Sequence, residues 1–161
     1  MSRPHSPGGE RVFLGLGSNL GDRDANLRSA LQRVTELEGT HLECVSSFIE
    51  TAPWGVEEQP SFLNAVAEIR TALKPRELLA AVKRIERELG RVPTYRWGPR
   101  LIDIDLLLYG ERVVVEPELT LPHPRILERA FVWEPLREIA PEVVEELRRA
   151  ALSLRGPGPD G

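Results

Sequence analysis

Asp103 and Asp105 stand two residues apart inside RWGPRLIDIDLLLYG (96–110), a stretch whose other members are mostly large and apolar. On a β-strand successive side chains leave opposite faces, so the two carboxylates share a face with Cα atoms about 6.6 Å apart. Their like charges repel unless something positive lies between them. Arginines from the preceding turn would serve as structural ion pairs. A divalent cation would serve equally, and hard oxygen ligands suit Mg²⁺, which keeps waters and binds one or two carboxylates together with substrate phosphates. Arg84, Arg87, Arg91, Arg96 and Arg100 crowd the span before the pair. Of these, Arg91, Arg96 and Arg100 are placed to neutralise phosphate oxygens bidentately, a task for which guanidinium is better shaped than ammonium. Metal plus guanidinium is equipment for phosphoryl transfer. Further on, His123 in LTLPHPR lies in a proline-stiffened loop from which it could donate to a phosphate, and Arg129 follows it.

The elements that must carry these residues alternate along the chain. Val12 to Gly17 reads as a first strand. Asp22 to Glu38 then places Leu27, Ala30, Leu31, Val34 and Leu37 at helical spacing, with Asp22 as cap and Gly39 as stop. His41 to Thr51 and Phe62 to Thr71 are β-rich, joined by a long, partly apolar connection. Pro75 opens a second helix that runs to Gly90. Leu101 to Tyr109 forms a strand, GERVVVE its hairpin partner, and a last helix covers Glu142 to Leu152. On the Leu101–Tyr109 strand Ile102, Ile104, Leu106 and Leu108 should face a helix-packed core, leaving the aspartates on an open side. Strand, helix, strand, strand, helix, strand is the split βαβ order, so the expected fold is α+β: a ferredoxin-like βαββαβ sandwich with an antiparallel sheet and its helices packed on one face. GLGSNLG misses the dinucleotide-binding G-x-G-x-x-G by one place and reads as a strand-to-helix turn over Gly17 to Gly21.

The 161 residues suffice for one domain, expected over 11–152 with loose tails at 1–10 and 153–161. No apolar run approaches a membrane span, and no signal peptide is evident at the start. The 21 basic and 25 acidic residues give a net charge of −4, the wrong sign for a protein that tracks a phosphodiester backbone. Cys44, the only cysteine, excludes an internal disulfide and fits the cytoplasm. A monomer is expected. Three alternatives stay open on these residues: a metal-dependent nuclease-like palm, a glycosidase built on two carboxylates, and a metal-dependent nucleotide-binding module without catalysis. The palm needs a basic track that a net-acidic chain does not offer. The glycosidase needs one of two ionised acids to stay protonated beside several arginines.

GLGSNLGDR (15–23), VSSFIETAPWG (45–55), QPSFLNAV (59–66), RIERELGR (84–91), RWGPRLIDIDLLLYG (96–110) and LTLPHPRILERAFVWEPLREIAPE (119–142) together resemble the hydroxymethyldihydropterin pyrophosphokinases. These folate-pathway enzymes move a diphosphoryl group from ATP to a pterin alcohol and release AMP. The resemblance implies that Asp103 and Asp105 hold two Mg²⁺ ions on the triphosphate. It implies that Arg91 and Arg100 bind phosphate during catalysis, and that Leu79, Glu86, Trp97, Leu106, Thr120, His123 and Arg129 line the ATP site. Thr51, Ala52, Trp54, Phe62, Asn64, Trp97, Asp103 and Phe131 fall where the family holds the pterin. That second set is chemically apt, because aromatic faces sandwich a flat heterocycle and an asparagine offers both donor and acceptor to its amide-like edge. The chain departs from familiar members at Ala52, Glu118 and Pro124 and in a shortened basic loop with Pro93 and Thr94, but retains both aspartates.

Overall fold

A computed structural model describes residues 9–51, 61–90 and 101–155. Strands β1 (Glu10–Ser18), β2 (Thr40–Val45), β3 (Ile49–Thr51), β4 (Phe62–Thr71) and β5 (Asp103–Tyr109) form one antiparallel sheet in the order β2-β4-β1-β5, with β3 also pairing β4. Helix α1 (Arg23–Thr35) joins β1 to β2, and α2 (Pro75–Leu89) joins β4 to β5. This is the βαββαβ arrangement expected from the sequence. The Asp22 carboxylate caps α1 by accepting the Ala25 N–H at 3.1 Å, and Glu77 accepts the Lys74 N–H at 2.8 Å where Pro75 opens α2. Val12, Leu14 and Leu16 of β1, Ala65, Ala67 and Ile69 of β4 and Ile104 and Leu106 of β5 pack against the buried stripes of α1 and α2.

The opposite face is not left open. Two further helices, α3 (Ala130–Ile139) and α4 (Pro141–Arg155), cover much of it. Phe13, Val66, Leu107 and Leu108 build a second core there with Ile126, Val132, Leu136, Ala140, Val143 and Val144. An antiparallel sheet with apolar side chains on both faces needs both covered. The sequence reading placed no helix at α3, and α4 runs longer at both ends than the expected 142–152.

Two expectations about β5 are corrected. Leu108 does not share a face with Ile104 and Leu106. Leu14 pairs with Leu106 but Phe13 with Leu108, so Leu107 is an extra residue in a bulge and the alternation changes phase there. Nor does GERVVVE pair with β5. Its strand β6 (Val114–Glu116) forms a separate two-stranded ribbon with β7 (Leu119–Leu121). The outer edge of β5 is already engaged: Glu86 accepts the Ile104 N–H at 2.5 Å, and the His123 N–H donates to the Leu107 carbonyl at 2.8 Å.

If the second core is as real as the first, Leu136→Ala on α3 and Ile104→Ala on β5, both fully buried, should each lose about 2–5 kcal/mol. Urea denaturation reads this directly. A Leu136 variant with an unchanged midpoint would mean that α3 is only loosely applied to the sheet.

Candidate functional site

The site grows out of the pairing of β1 with β5. Asp103 lies opposite Gly17 and Asp105 opposite Gly15, so each carboxylate faces a neighbour with no side chain. On the other flank of β1, Gly17 pairs with Asn64 and Gly15 with Val66, while Thr51 of β3 pairs with Phe62. Alternation brings Thr51, Phe62, Asn64, Gly15, Gly17, Asp103 and Asp105 onto one sheet face as the floor of a cavity of 880 Å³. The loop after β7 and the start of α3 wall it with His123, Arg125, Ile126, Glu128, Arg129, Phe131 and Val132. Glycines two apart in a strand mark a place where something else must approach the backbone. A Cβ on Gly17 would lie 3.0 Å from Asn64 Oδ1 and 3.5 Å from Phe62 Cδ1.

Asn64 is buried, and its Nδ2 donates to Thr51 Oγ1 at 2.8 Å. That bond fixes the amide and directs it along the floor. Phe131 is half-buried, with the Arg129 guanidinium 5.8 Å from its ring centroid.

A second, smaller cavity of 260 Å³ lies at the outer edge of β5, lined by Leu79, Lys83, Ile104, Asp105, Leu106, Thr120, His123 and neighbouring residues of the 117–124 loop. Asp105 and His123 line both cavities. Burial pushes the His123 imidazole below its ordinary range; the Asp105 charge opposes this and the Arg129 and Arg125 charges add to it. Its Nδ1 accepts the Arg125 N–H at 3.2 Å, the arrangement of a neutral ring that carries its proton on Nε2. Glu86 sits behind β5 and is not among the described lining residues of either cavity. Burial pushes its carboxyl above the ordinary range and the Asp103 charge adds to the rise, against the opposing pull of the Ile104 N–H and of Lys83, whose Nζ is 3.3 Å away.

Of the residues singled out from the sequence, Thr51, Phe62, Asn64, Asp103, Asp105, His123, Arg129 and Phe131 meet in the large cavity. Leu79, Leu106 and Thr120 meet in the small one with Asp105 and His123. Ala52, Trp54, Arg91, Trp97 and Arg100 lie outside the described residues. Sequence reasoning missed Gly15 and Gly17, for which the i, i+2 glycine spacing inside a strand was the available signal. It also missed Lys83, one helical turn past Leu79 on the same face of α2.

Residues 13–141 match the family model described as 7,8-dihydro-6-hydroxymethylpterin-pyrophosphokinase. The chain belongs to this pyrophosphokinase family. It is 43% identical over 141 residues to the 2-amino-4-hydroxy-6-hydroxymethyldihydropteridine pyrophosphokinase of Aquifex aeolicus, a match spanning 88% of this chain and 87% of that protein. The enzyme of the same name from Bacillus subtilis is 43% identical over 145 residues, 90% of this chain and 87% of its own. A pea protein, the mitochondrial folate synthesis bifunctional protein of Pisum sativum, is 48% identical over 130 residues, which make up 81% of this chain and 25% of that longer one. Among solved structures, one described as HPPK-DHPS in complex with substrates superposes with a TM-score of 0.63 at 13% identity, over 83% of this chain and 42% of that chain. The match supports the pyrophosphokinase fold.

Two consequences of this geometry are measurable. Gly17→Ala should fold with stability altered by about 1 kcal/mol or less, since the loss of conformational entropy in the unfolded chain offsets a local push in the native one. It should nonetheless displace the Asn64 side chain, seen as shifted Asn64 amide resonances in ¹⁵N spectra. Resonances identical to those of the parent would contradict the close approach. For His123, the unfolded chain binds more protons than the native one between the lowered native value and the ordinary 6.5. Native stability should therefore rise with pH through that window and level off above it. His123→Asn should remove that part of the slope.

Proposed function

We propose that the two cavities are the two substrate sites of a pyrophosphoryl transfer, with the pterin in the large cavity, the adenine end of ATP in the small one and the triphosphate across Asp105. Membership of the family makes the reaction pyrophosphate transfer from ATP to hydroxymethyldihydropterin in folate synthesis. The observation that carries the assignment of sites is that Asp105 and His123 line both cavities. Two reactants held in separate pockets can meet only where the pockets join.

Asp103 and Asp105 fit Mg²⁺ by the chemistry of their donor set, two carboxylates on one sheet face at the cavity floor. Two bound Mg²⁺ would neutralise the triphosphate and stabilise both the attacking and the leaving oxygen of an in-line displacement. The chain's own residues do the rest. Asn64, oriented by Thr51, reads the amide-like edge of the pterin, and Phe62 and Phe131 cover its faces. The substrate's hydroxymethyl oxygen attacks the β-phosphorus and AMP leaves, so no protein nucleophile is needed. Neutral His123 donates from Nε2 to a phosphate oxygen, and Arg129 adds positive charge to the wall. Arg91 and Arg100 clamp the phosphates. Ala52 and Trp54 are assigned to pterin binding and Trp97 to the binding of both substrates. Glu86 acts on the ATP site from behind, by holding the edge of β5 on which Asp103 and Asp105 are carried. Leu79, Leu106 and Thr120 enclose the adenine.

No helix among the described residues is long and apolar enough to cross a membrane. The net charge of −4 argues against a nucleic-acid partner. The same proposal makes the chain a cytoplasmic monomer acting on small molecules.

Turnover with Mg²⁺, ATP and 6-hydroxymethyl-7,8-dihydropterin should yield AMP and not ADP. Asp103→Ala and Asp105→Ala should remain folded, lose Mg²⁺-dependent binding of a non-hydrolysable ATP analogue in calorimetry, and turn over at least about 10²-fold more slowly. Unchanged nucleotide affinity in both variants would rule out the metal-binding role.

A further inference from the structure

Arg23, at the start of α1, makes contacts that the reaction chemistry leaves unexplained. Its Nη1 donates to the Ser61 carbonyl at 2.8 Å and to Ser61 Oγ at 3.0 Å, and lies 2.9 Å from Glu50 Oε2. Ser61 Oγ in turn donates to Glu50 Oε2 at 2.7 Å, which closes a three-membered ring. The Ser61 hydroxyl first, and then the Arg23 guanidinium, hold the Glu50 carboxyl below its ordinary range.

Each member sits next to the pterin floor. Glu50 immediately precedes Thr51, Ser61 immediately precedes Phe62, and Thr51 and Phe62 are register partners at the end of the β3–β4 pair. A three-residue strand such as β3 has few ladder bonds with which to hold its end in place. Thr51 is the acceptor that orients the Asn64 amide. Anything that lets the β3 end shift therefore lets the Asn64 edge turn.

We propose that Arg23 is a positioning residue for pterin binding: by tying Glu50 and Ser61 together it fixes Thr51, Phe62 and, through Thr51, Asn64. This rests on the assignment of the large cavity to the pterin. Were the contact an ordinary exposed ion pair its loss would change little. The difference here is that one guanidinium nitrogen also holds a backbone carbonyl, so the bond constrains the chain itself. Substrate contacts displaced by a fraction of an ångström weaken binding even when every contact residue is intact. The nucleotide cavity lies on the far side of β5 and shares no member with the ring.

Steady-state kinetics at saturating Mg²⁺-ATP, with calorimetry of an ATP analogue, test the inference on four variants of the full chain. Arg23→Ala should raise the KM for 6-hydroxymethyl-7,8-dihydropterin about tenfold, with kcat and ATP-analogue affinity within about twofold of the parent. Arg23→Lys should restore most of the loss, because an ammonium has three donors for the three contacts made by Nη1. Asp24→Ala breaks the exposed Arg28–Asp24 pair in the first turns of α1 and should leave pterin KM unchanged, separating a general effect of destabilising α1 from the ring. Asn64→Ala tests the cavity assignment itself. If Asn64→Ala raises pterin KM and Arg23→Ala does not, the clamp is wrong and the assignment stands. If neither does, both fall. Should Arg23→Ala not fold, Ser61→Ala, which removes two of the ring's bonds and no charge, must still raise pterin KM for the inference to survive.

Discussion

Keeping two carboxylates on one sheet face at a strand spacing of about 6.6 Å sets charge against charge, on the order of 2 kcal/mol at an effective dielectric near 20. The surrounding structure is organised to bear that repulsion without relieving it by distortion. The backbone between the aspartates is pinned from both sides, by the ladder to β1 and by Glu86 on the Ile104 N–H. Fully buried Ile104 anchors the strand in the α1–α2 core. Glycines stand opposite both acids, and both acids line the large cavity. A site prepared in this way gains most from a divalent cation and an anionic substrate arriving together, since each neutralises the other's desolvation cost.

How far this was legible in the sequence depended on whether the deciding interaction was local. The parity of Asp103 and Asp105 follows from strand alternation alone, and held. The same rule failed three residues later at Leu108, because the phase change at Leu107 is set by pairing with β1, a partner distant in the chain. The hairpin assigned to GERVVVE failed for a related reason. Its β-rich composition was read correctly, but the edge it would have joined was already taken by Glu86 and His123. Helix α3 was hidden by Pro135, which lies inside it and reads locally as a breaker. What stabilises α3 is burial of Val132 and Leu136 against Phe13, Val66 and Leu107, and that is visible only once the sheet has formed.

The site shows the same division. Cavity residues with distinctive chemistry, the aspartates, Asn64, His123 and the two phenylalanines, were identifiable by type. Gly15 and Gly17 were not, because their contribution is an absence of side chain that becomes meaningful only beside Asn64 and the aspartates. Lys83 was not singled out, although its spacing from Leu79 places it at the small cavity.

The bulge at Leu107 explains why one short strand can serve two pockets. Before it, alternation directs Asp103 and Asp105 to the large cavity and Ile104 and Leu106 to the opposite side, where both also line the small one. At it, Leu107 turns into the second core, and its carbonyl takes the His123 N–H, which draws the 122–124 loop against the edge of the strand. A regular strand would keep Leu107 on the face of the aspartates but would send Leu108 to the face of Ile104 and Leu106; the extra residue brings Leu108 into the second core as well. At the irregularity the strand also docks the loop whose histidine lines both pockets. Asp105 on the strand and His123 on the loop held to it line both pockets, and under the proposed two-site transfer they form the wall that the two substrates share.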